Sequence, residues 1–132
     1  MESFALSPIR RSYALIAPRT PEVIADLYRR LFDRRPDTRG LFKQEMGNQH
    51  GKFAATLELC VMAEDDPKQI DAVLKRLGSR HVERGVGDDL YPVFIDCLVE
   101  AIAAQLGDQW SEELDAAWRE ALRVIGERMQ AA

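Results

Sequence analysis

Ile70-Asp71-Ala72-Val73-Leu74-Lys75-Arg76-Leu77-Gly78-Ser79-Arg80-His81 is the stretch on which the fold turns. Its apolar residues Ile70, Val73, Leu74 and Leu77 recur at helical spacing, and one more turn of that stripe arrives at His81 instead of another Leu or Ile. Gly85-Val86 then closes the pattern as a helix stop. A neutral imidazole on a buried face carries a lone pair that needs a donor or a metal. Either His81 is satisfied locally, bonded to a backbone carbonyl, or its partner is a metal.

Outward from this segment, helical periodicity and caps account for nearly everything between Ser7 and Met129, and no run alternates as a strand would. The expected fold class is all-α, in a single domain over residues 1–132. Ser7-Pro8 and Thr20-Pro21 each set a capping hydroxyl before a proline, starting helices near residues 8 and 21. Ile24, Leu27, Tyr28, Leu31 and Phe32 form the buried face of the second helix, and Pro36 ends it before Leu41-Phe42. A third helix runs from about Met46 to Glu64, with Met46, Phe53, Leu57 and Cys60 on one face. Pro67 opens the helix that carries His81. Asp88 or Asp89 caps a fifth helix containing Tyr91, Phe94, Leu98 and Ile102, which Gly107 ends. Ser111-Glu112-Glu113-Leu114 resembles a capping box ahead of a last helix lined by Leu114, Trp118, Leu122, Ile125 and Met129.

Composition narrows the function classes. Apolar residues at 46% and charged residues at 30% describe a globular chain, and no apolar run approaches the roughly 20 residues that span a bilayer. The opening Met1-Glu2-Ser3-Phe4 is no secretory signal, so a cytoplasmic setting is expected. A net charge of −4 with interspersed signs excludes a basic nucleic-acid surface. Arg29, Arg30, Arg34 and Arg35 do cluster, but Asp26 and Asp33 interleave with them, as on a solvated helix face. Cys60 and Cys97 sit inside apolar patterns and are expected as buried thiols.

Three polar groups face inward from three helices. Tyr28 lies on the buried face of its helix, and on the third helix Gln49 and His50 stand about equally far, roughly 50°, on either side of the apolar centre. Periodicity does not choose between them. Two histidines without thiolate or carboxylate help do not close a tetrahedral zinc site. There is no Gly-rich phosphate loop and no nucleophile elbow. One axial histidine does suit a haem iron, where the macrocycle supplies four ligands and the protein one.

With these residues in order, the sequence resembles the globin family, specifically single-domain bacterial haemoglobins of the flavohaemoglobin lineage. Pro36 followed six residues later by Phe42 resembles the corner where a Phe packs flat on the porphyrin. Leu77-Gly78-Ser79-Arg80-His81, then Gly85-Val86 and Tyr91-Pro92, resembles the proximal-histidine segment and the corner after it. Trp118 falls where related bacterial globins carry a Trp. The resemblance implies a three-over-three helical sandwich around haem b, with His81 as iron ligand and Phe42 as ring clamp. Tyr28 matches the distal tyrosine, and Gln49 the distal Gln of similar methanotroph globins, which breaks the tie with His50. By the same resemblance Phe53 and Leu57 wall the pocket, Leu77, Val86, Tyr91 and Phe94 line the proximal side, and Lys52 pairs with a propionate. One departure is expected. The lineage carries a glutamate late in the last helix, and this chain ends before a matching position, so Tyr91 acts without that acid.

The function implied is binding of O2, CO and NO at a five-coordinate iron, with Tyr28 and Gln49 as hydrogen-bond donors to the ligand. Tight oxygen binding favours nitric oxide detoxification by dioxygenation, with an external reductase because no flavin or nicotinamide domain is read in the chain. The alternative is a haem-based gas or redox sensor acting through a protein partner. A monomer or a homodimer is expected, without nucleic acid and without a membrane span.

Overall fold

The computed structural model describes residues 7–41, 55, 57–59, 61, 67–83 and 86–130. Five α-helices are described in full: α1 (Pro8–Ile16), α2 (Thr20–Arg34), α3 (Asp71–Glu83), α4 (Leu90–Leu106) and α5 (Glu112–Gln130). Short 3-10 turns cover Ala17–Arg19, Pro36–Leu41, Pro67–Ile70 and Gly107–Gln109. Residues 55, 57–59 and 61, within the third helix expected from the sequence, are helical too. No strand occurs among the described residues, and the class is all-α.

The caps follow the backbone on which each polar residue sits. Ser7 is extended, so its hydroxyl accepts from the Arg10 N–H at 3.1 Å and starts α1. Thr20 does not cap α2. The turn Ala17–Arg19 runs straight into that helix and makes Thr20 helical, so its hydroxyl donates backwards to the Ala17 carbonyl at 2.7 Å. Asp89 is likewise in helical conformation and makes no side-chain cap to α4; its carboxylate accepts from Arg35 Nη1 at 3.0 Å. Ser111 Oγ accepts from the Leu114 N–H at 3.2 Å, but Leu114 stands where a capping box carries Glu or Gln, so half of the motif forms. Gly107, with φ of +54°, closes α4 in a conformation that a side chain would strain.

Helix α4 is the centre of the packing: α2 lies along it, and α1 and α5 also touch it, while α3 packs on α5. That position explains its composition. Leu90–Gln109 has a mean hydropathy of 1.4 and is long and apolar enough to cross a membrane by those criteria, which corrects the expectation that no run approaches that length. Its apolar residues instead meet neighbouring helices, burying Leu90, Cys97, Leu98, Val99, Ala101, Ile102 and Leu106. Trp118 of α5 is fully buried, and its indole N–H donates to Ser12 Oγ at 2.8 Å. Ser12, itself buried, donates to the Pro8 carbonyl at 2.7 Å, so both polar atoms are satisfied.

The arginines of α2 are braces as well as a solvated face. Arg30 and Arg34 both donate to Glu100 of α4, at 2.9 Å and at 2.6 and 2.7 Å, while Arg29 pairs with Asp26. Arg35 joins Asp37 to Asp89. The hydrogen bond from Arg34, followed by its charge, holds the Glu100 carboxyl below its ordinary value. Cys97 is fully buried beside this pair, with Arg34 Nη1 3.7 Å from Sγ, and burial pushes its thiol pKa up. The side chain of Cys60 lies outside the described residues.

Two outcomes follow from this packing. Ser12→Ala leaves the Trp118 N–H buried without its acceptor and costs about 1–3 kcal/mol in urea unfolding; an unchanged midpoint rejects the role given to this bond. Glu100→Gln lowers stability at neutral pH. Because the folded carboxyl titrates below its unfolded value, that deficit shrinks as pH falls through and below about 4, and a deficit constant with pH rejects the ion pair as its cause.

Candidate functional site

His81 lies near the end of α3, where helix geometry places it inward. At about 100° per residue, His81 falls between Leu77 and Leu74 on an arc that Gly78 completes. Leu74 and Gly78 are buried, and Leu77 and His81 half-buried. Val73 does not share this face as the apolar stripe predicts; it lies roughly 80° from His81 on the wheel and is 41% exposed. The stripe therefore narrows to Ile70, Leu74 and Leu77 before reaching the histidine.

The imidazole is oriented from within its own helix. His81 Nδ1 lies 2.7 Å from the Leu77 carbonyl oxygen. A carbonyl only accepts, so Nδ1 carries the proton and Nε2 keeps its lone pair pointing away from the helix. This is the form in which a histidine binds a metal, and the carbonyl is the outer partner that fixes tautomer and ring direction. The donor set thus fits a single axial ligand to haem iron. The backbone after it is also tied, with the Val86 N–H donating to the His81 carbonyl at 2.9 Å.

Two glycines set where this group stands. A Cβ on Gly78 would lie 2.1 Å from the Met129 carbonyl oxygen, so α3 rests directly on the backbone of α5. Arg128 of α5, next to Met129, pairs with Asp71 in the first turn of α3, bracing the same contact about two helical turns from Gly78. A Cβ on Gly126 would meet the Tyr91 ring at 3.4 Å, so Tyr91 of α4 rests on α5 as well. The two seats bring the His81 and Tyr91 rings together, with centroids 6.2 Å apart and planes inclined by 35°. Burial, and next the Asp88 charge, raise the Tyr91 phenol above its ordinary value, keeping it a neutral donor. Gly78 and Gly126 were not singled out from sequence. The available signal was a glycine inside a helix, which costs about 1 kcal/mol against Ala and so points to a close contact.

The structure brings His81, Leu77, Val86 and Tyr91 into one neighbourhood, with Phe94 half-buried against the core on α4. Tyr28 is buried on α2, 7% exposed, with its ring 5.8 Å from Phe32. Leu57 is fully buried in the core. Phe42, Gln49, His50, Lys52 and Phe53 lie outside the described residues.

Comparison with known proteins bears on the family and the fold. The family model described as Globin matches residues 25–129. A flavohemoprotein of Rhizobium meliloti is 27% identical over 116 residues, covering 86% of this chain and 29% of that relative, so the chain spans under a third of its length. Among solved structures, an engineered carbene transferase form of a candidate nitric oxide dioxygenase from Rhodothermus marinus aligns with a TM-score of 0.80 at 30% identity, over 94% of this chain and 87% of that one. A bacterial globin from Campylobacter jejuni aligns with a TM-score of 0.76 at 20% identity, over 91% and 87%, and shares the fold.

Gly78→Ala should cost about 1–3 kcal/mol or more in chemical unfolding, because backbone and not a flexible side chain opposes the new methyl. In the folded variant the His81 and Tyr91 ring resonances should move together. Unchanged stability and shifts would remove Gly78 from this role.

Proposed function

The chain belongs to the globin family, whose members bind haem and through it diatomic gases, and on that premise we propose an oxygen-binding haem protein that removes nitric oxide by dioxygenation. The observation that carries the reading is the 2.7 Å contact from His81 Nδ1 to the Leu77 carbonyl, which leaves Nε2 as the free acceptor. Haem b, when bound, supplies an iron with one position open to O2, NO or CO. His81 would hold the iron, and Leu77, Val86, Tyr91 and Phe94 would line that histidine's side of the ring. Phe42 would clamp the porphyrin, Phe53 and Leu57 would exclude water beside the ligand, and Lys52 would pair with a propionate.

On the ligand side, Tyr28 and Gln49 do the chemistry of the chain. The Tyr28 hydroxyl and the Gln49 amide would donate hydrogen bonds to a diatomic gas held there, each worth about 1 kcal/mol. Such retention slows release, which suits scavenging better than delivery. The net reaction joins nitric oxide, dioxygen and one electron to give nitrate. Its electron comes from a reductase, and the flavohemoprotein name of the relative supports that pairing of activities. The Rhodothermus marinus structural neighbour supports the dioxygenase assignment in the same way.

An absorption spectrum of protein purified with added haem should show a Soret band that moves with CO, and His81→Ala should lose haem on gel filtration. Tyr28→Phe and Gln49→Leu should each speed oxygen dissociation by about fivefold, the factor equivalent to one such hydrogen bond. Absence of the band overturns the reading as a whole. Unchanged dissociation in both distal variants overturns the ligand-side assignment, and bis-histidine spectra abolished by His50→Ala would hand that place to His50.

A further inference from the structure

Almost every described cation in this chain has a partner. Arg11, Arg29, Arg30, Arg34, Arg35, Arg119, Arg123 and Arg128 sit in ion pairs, Arg19 donates to the Gln105 carbonyl, and Arg39 lies over the Phe32 ring. Among the described residues, the cations with no ion pair, hydrogen bond or ring contact are Lys75, Arg76 and Arg80. All three are exposed, and all three belong to α3, the helix that carries His81. On a wheel of about 100° per residue they occupy the half of α3 opposite its inward stripe of Leu74, Leu77 and His81, with Lys75 on the flank nearest the α5 contacts Asp71 and Gly78. Val73 and Val82, 41% and 71% exposed, stand at the two margins of the same half.

This arrangement departs from the rest of the surface. In a chain of net charge −4, eight of the described arginines elsewhere are ion-paired, while the outer face of α3 carries three positive charges with no ion pair among the described residues, framed by two apolar side chains. Exposed charges with no ion pair act on an oppositely charged partner over about a Debye length and steer its approach, more strongly at low salt. The apolar margins supply contact area once it has arrived. Three cations are few for a nucleic-acid groove, and a short-lived protein contact needs little more than a small patch of this kind.

We propose that the outer face of α3, built from Lys75, Arg76, Arg80, Val73 and Val82, is the docking surface for the protein that supplies electrons, and that this donor presents a carboxylate-rich face. The inference rests on the haem reading above. It places the donor against the helix whose inner face holds the proposed iron ligand, so the path from partner to site crosses one helix. In the exchange the donor's reduced flavin loses one electron and the ferric iron gains it; no bond forms or breaks in either protein.

The test uses haem-loaded full-length protein and, as probe, an acidic flavodoxin, with binding read by interferometry and transfer by stopped-flow absorbance. Flavodoxin should bind at low salt and release as salt rises, and Lys75→Glu/Arg76→Glu should weaken binding and slow transfer by about tenfold, with Arg80→Glu acting in the same direction. The Soret band and CO binding of these variants should match the parent. No flavodoxin binding at low salt, or binding and transfer indifferent to the reversals, overturns the docking surface. So does capture of anionic phosphatidylserine vesicles through these cations when flavodoxin is not bound. A parent protein that takes up no haem is a different failure, one of the site reading itself.

Discussion

The direct contact between α3 and α5 at Gly78 and Met129 governs the rest of the site. With no side chain between the two backbones, the spacing of these helices is set by van der Waals contact with a carbonyl group, which yields far less than interdigitated side chains do. His81 stands three residues further along α3, so its position is inherited from this contact, and its direction from the Leu77 carbonyl. Tyr91 is seated on the same helix at Gly126. One helix, α5, thereby references two rings that arrive from different parts of the chain.

Much of this was legible in the sequence because periodicity survives folding. The apolar faces of α2 and α5 are where the 3.6-residue pattern places them, while the central α4 leaves Tyr91 and Phe94 half-buried and buries Cys97, Val99 and Ala101 beyond its expected stripe; Ser7 and Ser111 cap as their local sequence implies. The failures share a cause. Thr20 and Asp89 have the right chemistry for a cap, but whether a hydroxyl or carboxylate reaches forward depends on backbone angles inherited from the preceding segment, which residue type does not encode. Val73 obeys the spacing loosely and falls outside the arc that α5 covers. Partners distant in sequence were equally invisible: Ser12 under Trp118, Glu100 between two arginines of α2, and Met129 against Gly78 are products of packing. At the site, His81 and Tyr91 were legible as residues, while their adjacency and the glycines that create it were not. Gln49 and His50 were equivalent on the helical wheel, and the resemblance that favoured Gln49 draws on relatives and not on this chain's periodicity.

The arginines show how one residue type divides between structural and available charge. Those of α2 and its C-terminal end are committed: Arg30 and Arg34 converge on one carboxylate of the central helix, and Arg35, just past α2, spans two aspartates. Their guanidinium forks are held by bonds of fixed direction, which suits fastening helices together. The charges on the outer half of α3 have no such commitments among the described residues. The same helix therefore has an inner face fixed by backbone contact and an outer face whose polar groups remain open to solvent.

Cys97 has a bearing on what such a protein must survive. A thiol reacts with nitrogen oxides and peroxides chiefly as its thiolate, and does so where those reagents can reach it. Here burial keeps the proton on sulfur and the surrounding core leaves the side chain with no accessible surface. The interior of α4 is thereby kept out of reach of such reagents, and the central helix keeps its shape when they are present.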